Sequence, residues 1–219
     1  MRSFVIVAMS VGVAYATPLP AGFTIVPSSI SPDHKLGVIA PDVDHVKEHE
    51  RQNKLVEIAT GKVVATIAAD TVFEHENNTD MKPVWSSDGK WLEWRADGKW
   101  GSVALVLLEI DHGAVKRQID VREPAVKAAL AASKKANPKA YAAAKKEGEG
   151  EGSWFRDGFA IDVHPDHEGP PSLPFKFVIE LTSNPKELDS YPVAARLAGT
   201  MTGTVDADGK LAFGPFVTR

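Results

Sequence analysis

The segment from Met81 to Asp111 constrains this chain more than any other, because it alternates apolar runs with tight-turn dipeptides. Asp88-Gly89 and Asp97-Gly98 are favoured where a hairpin reverses, since glycine accepts positive φ without a steric penalty. Between them, Lys90 to Arg95 carries two tryptophans and a leucine, residues suited to a pleated, half-covered surface. Alternation predicts Leu92 and Trp94 on one face, with Trp91, Glu93 and Arg95 on the other. Val103 to Ile110 is apolar on both faces for most of its length, the pattern of a strand covered on two sides near the middle of a sheet. Asp111-His112-Gly113 then turns the chain into a fourth strand, Ala114 to Val121.

A fainter copy of this pattern precedes it. Phe23 to Ile30 reads as a strand interrupted by Pro27, and Ser31-Pro32-Asp33-His34-Lys35 as a turn. Short strands follow at Leu36 to Ala40, Lys54 to Ile58 and Val63 to Ile67. Ser31 to Lys35 parallels Ser86-Ser87-Asp88-Gly89-Lys90, and Leu55 to Ile58 before Thr60-Gly61 parallels Leu107 to Ile110 before His112-Gly113. The offsets, about 55 and 52 residues, fall in the range of propeller blades. On these motifs residues 24–121 resemble the repeats of Tol-type and WD-like β-propellers. Those repeats carry a Ser-Pro-Asp-Gly-Lys turn, an apolar strand, and a strand ending in Asp-x-x-Thr-Gly-Lys. His34 stands where that pattern has glycine, Ser87 where it has proline, and His112 where it has threonine. The resemblance implies two blade-like four-stranded sheets and an interaction scaffold. Two blades are fewer than the roughly four a closed propeller needs, so an unclosed arrangement is expected.

The N-terminus reads as an export signal. Met1-Arg2 is positively charged, Phe4 to Val13 is an apolar run of roughly ten residues, and Ala14-Tyr15-Ala16 offers small residues to a signal peptidase. Cleavage is expected after Ala16. The apolar run is too short for a bilayer span, and no longer one follows. Losing Arg2 takes 25 basic residues to 24 against 29 acidic ones, so the net charge moves from -4 to -5. That balance offers no general attraction to nucleic acid. The chain has no cysteine, so it must hold together by core burial alone. Export without disulfides suits a bacterial periplasmic or secreted protein. Asn77-Asn78-Thr79 matches a short glycosylation pattern that is common by chance.

Past Val121 the composition changes. Arg122 to Lys146 is rich in alanine and lysine and reads as a helical insertion. Pro124 suits the first turn of a helix ending near Ala136. Asn137-Pro138 reads as an N-cap followed by proline at the first helical position, opening a second helix that Gly148 stops. Val126, Leu130 and Tyr141 form a thin apolar stripe, and the segment is expected to stand as an excursion from the sheets. A Gly/Glu tract to Gly152 follows. Strands then resume at Phe159 to Val163, at Phe175 to Leu181 and from Tyr191 to Val205, where Gly199 and Gly203 are expected to kink the strand. Asp208-Gly209 closes a hairpin with Leu211 to Val217. The expected organisation is a leader at 1–16, blade-like repeats at 17–121, the insertion and linker at 122–152, and C-terminal strands at 153–219 that share one compact unit with 17–121.

Four residue groups have chemistry to weigh. Asp162, His164 and His167 offer a carboxylate and two imidazoles suited to a divalent cation, although Pro165 limits how the imidazoles converge. Asp42, Asp44, His45 and His49 place two imidazoles four apart, without a third ligand or a His-Glu-x-x-His motif. For both groups a solvated polar loop is the preferred reading. Trp91 beside Glu93 and Arg95 presents an indole that can stack on a sugar ring or a partner side chain; a partly buried aromatic in sheet packing is the preferred reading of Trp91, and if a binding face exists this row is where it is expected. Lys127, Lys134, Lys135, Lys139, Lys145 and Lys146 form a cationic helix face that could bind an anionic surface, but its alanine-rich counterpart is too weak for strong insertion and a solvated helix is the preferred reading. No nucleophile elbow, phosphate loop or catalytic cysteine occurs, and no cofactor is implied. The expected function is non-catalytic binding of a protein or glycan in the periplasm or outside the cell. The alternative is a metal-assisted envelope hydrolase using the His164/His167 region.

Overall fold

The computed structural model describes residues 19–42, 52–67, 80–98, 101–148, 158–183 and 196–219. The expected leader, the loop with Asp44, His45 and His49, the glycosylation pattern, Trp100, the tract from Glu149 and the segment from Tyr191 to Ala195 lie outside these residues.

Among the described residues the protein is mainly β, with three antiparallel sheets and two α-helices. The first sheet is a meander of β1 (Phe23–Ile25), β2 (Leu36–Pro41), β3 (Lys54–Glu57) and β4 (Val63–Thr66). The second repeats that order with β5 (Asp80–Trp85), β6 (Trp91–Gly98), β7 (Gly101–Asp111) and β8 (Ala114–Asp120). After β8 come α1 (Arg122–Ala136) and α2 (Pro138–Gly148). The third sheet holds β9 (Phe159–Pro165), β10 (Phe175–Ser183), β11 (Ala198–Val205) and β12 (Leu211–Phe213), in spatial order β12-β11-β10-β9. A short β13 (Val217–Thr218) also pairs with β11.

The second sheet is the middle layer, and β7 shows why. Val106, Leu108 and Ile110 join Leu92, Trp94 and Trp85 against Val26, Leu36, Val38, Ala40, Leu55 and Ile67 of the first-sheet region. Leu105 and Leu107 point the other way, into a cluster with the helices and Val163, Phe177, Ile179 and Met201 of the third sheet. A strand with period-two alternation and apolar residues at both parities must be covered twice, and it is. Hydrogen bonds lock the first two layers together: Trp85 Nε1 donates to Ser29 O at 2.8 Å, and Gln118 Nε2 to Thr66 O at 2.8 Å.

The helices are part of the core, not an excursion from it. Ala125, Ala129, Ala140 and Ala144 are buried in the same cluster as β7 and β10, while Val126, Leu130 and Tyr141 are only partly covered. Small side chains allow the helix backbones to approach closely: a Cβ on Gly158 would strike the Ala144 carbonyl. Asn137 caps α2 as expected, its Oδ1 accepting from Ala140 N at 3.1 Å. Asp120 Oδ1 serves α1 in the same way, accepting from Arg122 N at 3.0 Å and Glu123 N at 3.3 Å.

Two further expectations change. Asp97-Gly98 is not the reversal between β6 and β7. Both residues belong to β6: Gly98 still pairs with Gly101 of β7, and Asp97 sits beside a register shift. Its carboxylate holds Arg95 Nε at 2.6 Å and Lys82 Nζ at 3.0 Å, which commits it to the strands. Gly199 and Gly203 also have a different role. Each leaves backbone bare for an aromatic ring, Phe216 over Gly199 and Phe177 over Gly203. Phe177 is itself fixed between Phe175 and Phe213, with ring centroids 6.4 and 6.1 Å away.

A methyl group at position 203 therefore meets a ring that has nowhere to go. Gly203→Ala is expected to lower stability by about 2 kcal/mol, the range of core overpacking, as read by urea unfolding. An unchanged midpoint would show that the Phe177 ring is free to shift.

Candidate functional site

The repeated turns build the most developed surface feature among the described residues. In the first, Ser31 Oγ donates to Asp33 Oδ1 at 2.7 Å, Leu36 N donates to Ser31 Oγ at 2.9 Å, and Lys35 N donates to Asp33 Oδ1 at 3.2 Å. In the second, Ser86 Oγ donates to Asp88 Oδ1 at 2.7 Å, Trp91 N to Ser86 Oγ at 2.9 Å, and Lys90 N to Asp88 Oδ1 at 3.1 Å. The backbone bonds match as well. Ser31 N to Leu36 O and Ser86 N to Trp91 O are both 2.8 Å, while His34 N to Ser31 O and Gly89 N to Ser86 O are both 2.9 Å. The fourth residue of each turn has positive φ, 59° at His34 and 69° at Gly89. Serine and aspartate thus serve as internal templates for the reversal, as short polar side chains do in turns. The serine hydrogen bond is the main reason both carboxyls lie below the ordinary aspartate range.

Because the first two sheets stack, both turns emerge at the same end. Pro32 Cδ would lie 3.9 Å from a Cβ on Gly89. Around this contact lies a cleft of about 870 Å³, lined by Asp33, Lys35, Glu57 and Lys62 from the first sheet and by Asp88, Lys90, Asp111 and His112 from the second. Leu36, Val64 and Ile110 contribute its apolar wall. Charges of both signs interleave. Lys35 pairs with Asp33 at 3.1 Å and Lys90 with Asp88 at 3.7 Å, all four side chains being well exposed. Such exposed pairs add little stability and exchange readily for a ligand's polar groups.

The residues singled out from sequence fall elsewhere. Trp91, Glu93 and Arg95 share one face of β6, as alternation requires, but that face is turned towards the third layer. Trp91 packs against the helix and third-sheet cluster, with the Arg117 guanidinium 5.4 Å from its ring centre. Arg117 is held in turn by Glu109 at 2.5 Å and by the Ala207 carbonyl at 2.6 Å, so this row ties the middle sheet to the β11–β12 turn. Arg95 is committed to Asp97 at 2.6 Å. Glu93 is only 3% exposed. Burial, its largest influence, pushes its carboxyl up to about 7, against the opposing pull of Arg95.

Asp162, His164 and His167 are not gathered. Asp162 Oδ1 accepts from Ser102 N at 2.7 Å, Ser102 Oγ accepts from Val163 N at 2.8 Å, and Ser102 O accepts from Arg122 Nε at 2.6 Å. That network joins β9 to β7 and α1, and it occupies the carboxylate. Asp162 and His164, two apart, share the outer face of β9. His167 lies beyond the strand end, edge-on to Phe175 of the core face at 5.5 Å. Among the described residues no group of three or more His, Asp or Glu is placed to hold a metal ion. No protein-family model, curated protein or solved structure matches this chain.

The Glu93 environment carries a pH consequence. Its folded-state value, raised from 4.5 to about 7, means the folded protein holds this proton more tightly than the unfolded chain. The associated stability is present below about pH 4.5 and is lost as pH rises towards 7. Glu93→Gln should remove that loss, gaining on the order of 2 kcal/mol over the parent at pH 8 with little difference at pH 4.5. Urea unfolding at the two pH values is the check, and equal differences at both would contradict a neutral buried Glu93.

Proposed function

We propose that this chain is an exported, non-catalytic binding module of the periplasm or extracellular space, and that its ligand seats in the cleft between the paired turns. The observation that carries the reading is the duplication itself. Two turns with the same internal hydrogen bonds meet at one end of stacked sheets and line a single cleft of about 870 Å³. Concave, partly apolar surfaces with a few convergent polar groups are the default places for ligands. Alternating carboxylates and ammonium groups over an apolar wall suit an extended polar ligand, a peptide segment of a partner protein or an oligosaccharide. The reading extends to the architecture: the first two sheets are taken as successive blades of an open, propeller-like stack, an arrangement that presents loops at its ends for recognition. The leader supports the compartment, since its charge, apolar run and small residues follow the export pattern.

The test is a binding screen against peptide and glycan arrays, followed by Lys35→Glu with Lys90→Glu. Both lysines are exposed, and the turns are templated by Ser and Asp side chains, so the double variant should fold normally. Affinity for an array ligand is expected to fall at least about tenfold, the effect of reversing two contacts in one site. A ligand bound equally well by the double variant would place recognition outside this cleft.

A further inference from the structure

The cations of this chain are unevenly spent. Most described lysines and arginines of the sheets have a carboxylate beside them: Lys35 with Asp33, Lys82 with Asp97, Lys90 with Asp88, Lys116 and Arg117 with Glu109, Arg219 with Glu180. On α1, Lys127 is paired with Glu123. Lys134, Lys135, Lys139, Lys145 and Lys146 are exposed, and none has an ion pair among the described residues. No acidic residue occurs between Lys134 and Lys146, the nearest being Glu147 on the last turn of α2. This concentration arises in a chain whose net charge is -4.

The fold turns the run into a surface. A single residue, Asn137, separates α1 from α2, so Lys134, Lys135 and Lys139 crowd one corner. Lys139 and Lys146 are two turns apart on one stripe of α2, about 10 Å along its axis. Both helices are anchored through Ala125, Ala129, Ala140 and Ala144, so the backbone that carries these charges is held by the core. The helix dipole accounts for lysines in the last turns but not for Lys139 in a first turn, where a cation is unfavourable.

We propose that the α1–α2 corner is a docking surface for a linear acidic polysaccharide. Charge complementarity argues for a polyanion, and three observations choose its kind. A bilayer needs an apolar anchor, yet among the described residues the exposed large hydrophobic ones are Val63, Phe213 and Val217, none on these helices. A single-stranded nucleic acid needs aromatic platforms, yet Tyr141, the one aromatic on α1 or α2, is partly buried and stacked on Phe159 at 5.0 Å. Forked, bidentate phosphate recognition favours arginine, whereas the five exposed cations of this corner are all lysine, point charges that match spaced carboxylates without fixed geometry. This surface is separate from the cleft between the turns and does not depend on it.

The experiment uses the whole protein and polygalacturonate as probe. Binding is expected at low ionic strength and should be lost by about 0.3 M salt, where exposed charges are screened. Lys134→Glu/Lys139→Glu/Lys146→Glu, with an unchanged circular dichroism spectrum, should weaken it at least tenfold, while Lys35→Glu/Lys90→Glu should leave it intact. No binding by the parent at low salt overturns the proposal, as does binding by the triple variant within twofold of the parent. Vesicles of mixed anionic and neutral phospholipid and duplex DNA complete the comparison. If either binds as tightly as polygalacturonate and loses affinity in the triple variant, the polysaccharide assignment is overturned.

Discussion

The double burial of β7 is the constraint on which the rest of this structure depends. A strand that is apolar at both parities cannot lie at the surface of a sandwich. It requires a layer on each side, and the chain supplies them in order: the first sheet before it, the helices and third sheet after it. The hydrophobic gain from covering both faces is non-directional, so it does not by itself set alignment. Alignment comes from polar groups at the edges of the layers. Trp85 to Ser29 and Gln118 to Thr66 fasten one side, and Ser102 with Asp162 and Arg122 fastens the other.

That division of labour explains which residues are available for recognition. Arg117, Glu109, Asp97 and Asp162 are polar residues used for assembly, each held by a partner from a neighbouring strand or layer, and Arg95 is held by Asp97 within β6. What remains accessible is the rim where the two serine–aspartate turns meet, together with the lysine corner of the helices. The lysine side chains at both places are exposed and outside the core clusters, while the walls and helices that carry them are anchored in it.

Much of the architecture was legible in the sequence because its signals are local. The turns at Asp88-Gly89 and Asp208-Gly209, alternation in β10 and the Asn137-Pro138 start of α2 each depend on neighbours within a few residues, and each appears where expected, whereas Asp97-Gly98 does not. The errors came from long-range contacts. Nothing in β6 itself says that its Trp91 face is covered by a layer formed more than sixty residues later, so a buried Glu93 looked like a surface acid. The alanines of α1 and α2 left only a thin apolar stripe to suggest docking, when small side chains were what close packing needed. Gly199 and Gly203 looked like kinks because the rings above them lie outside their own strand, Phe177 on β10 and Phe216 just before β13. For the site, the matched turns were visible as a repeat. Their convergence on one cleft follows from sheet stacking, which no local pattern encodes.

If β7 is the element that both layers require, its backbone should open only when the whole protein does. Amide hydrogen exchange across Leu105 to Leu108 reads this directly. The account predicts that these amides are the slowest in the molecule, with an opening free energy equal to that of global unfolding. Exchange there faster than in β2 or β10 would mean that the middle sheet is not the common support, and the layered account would fail.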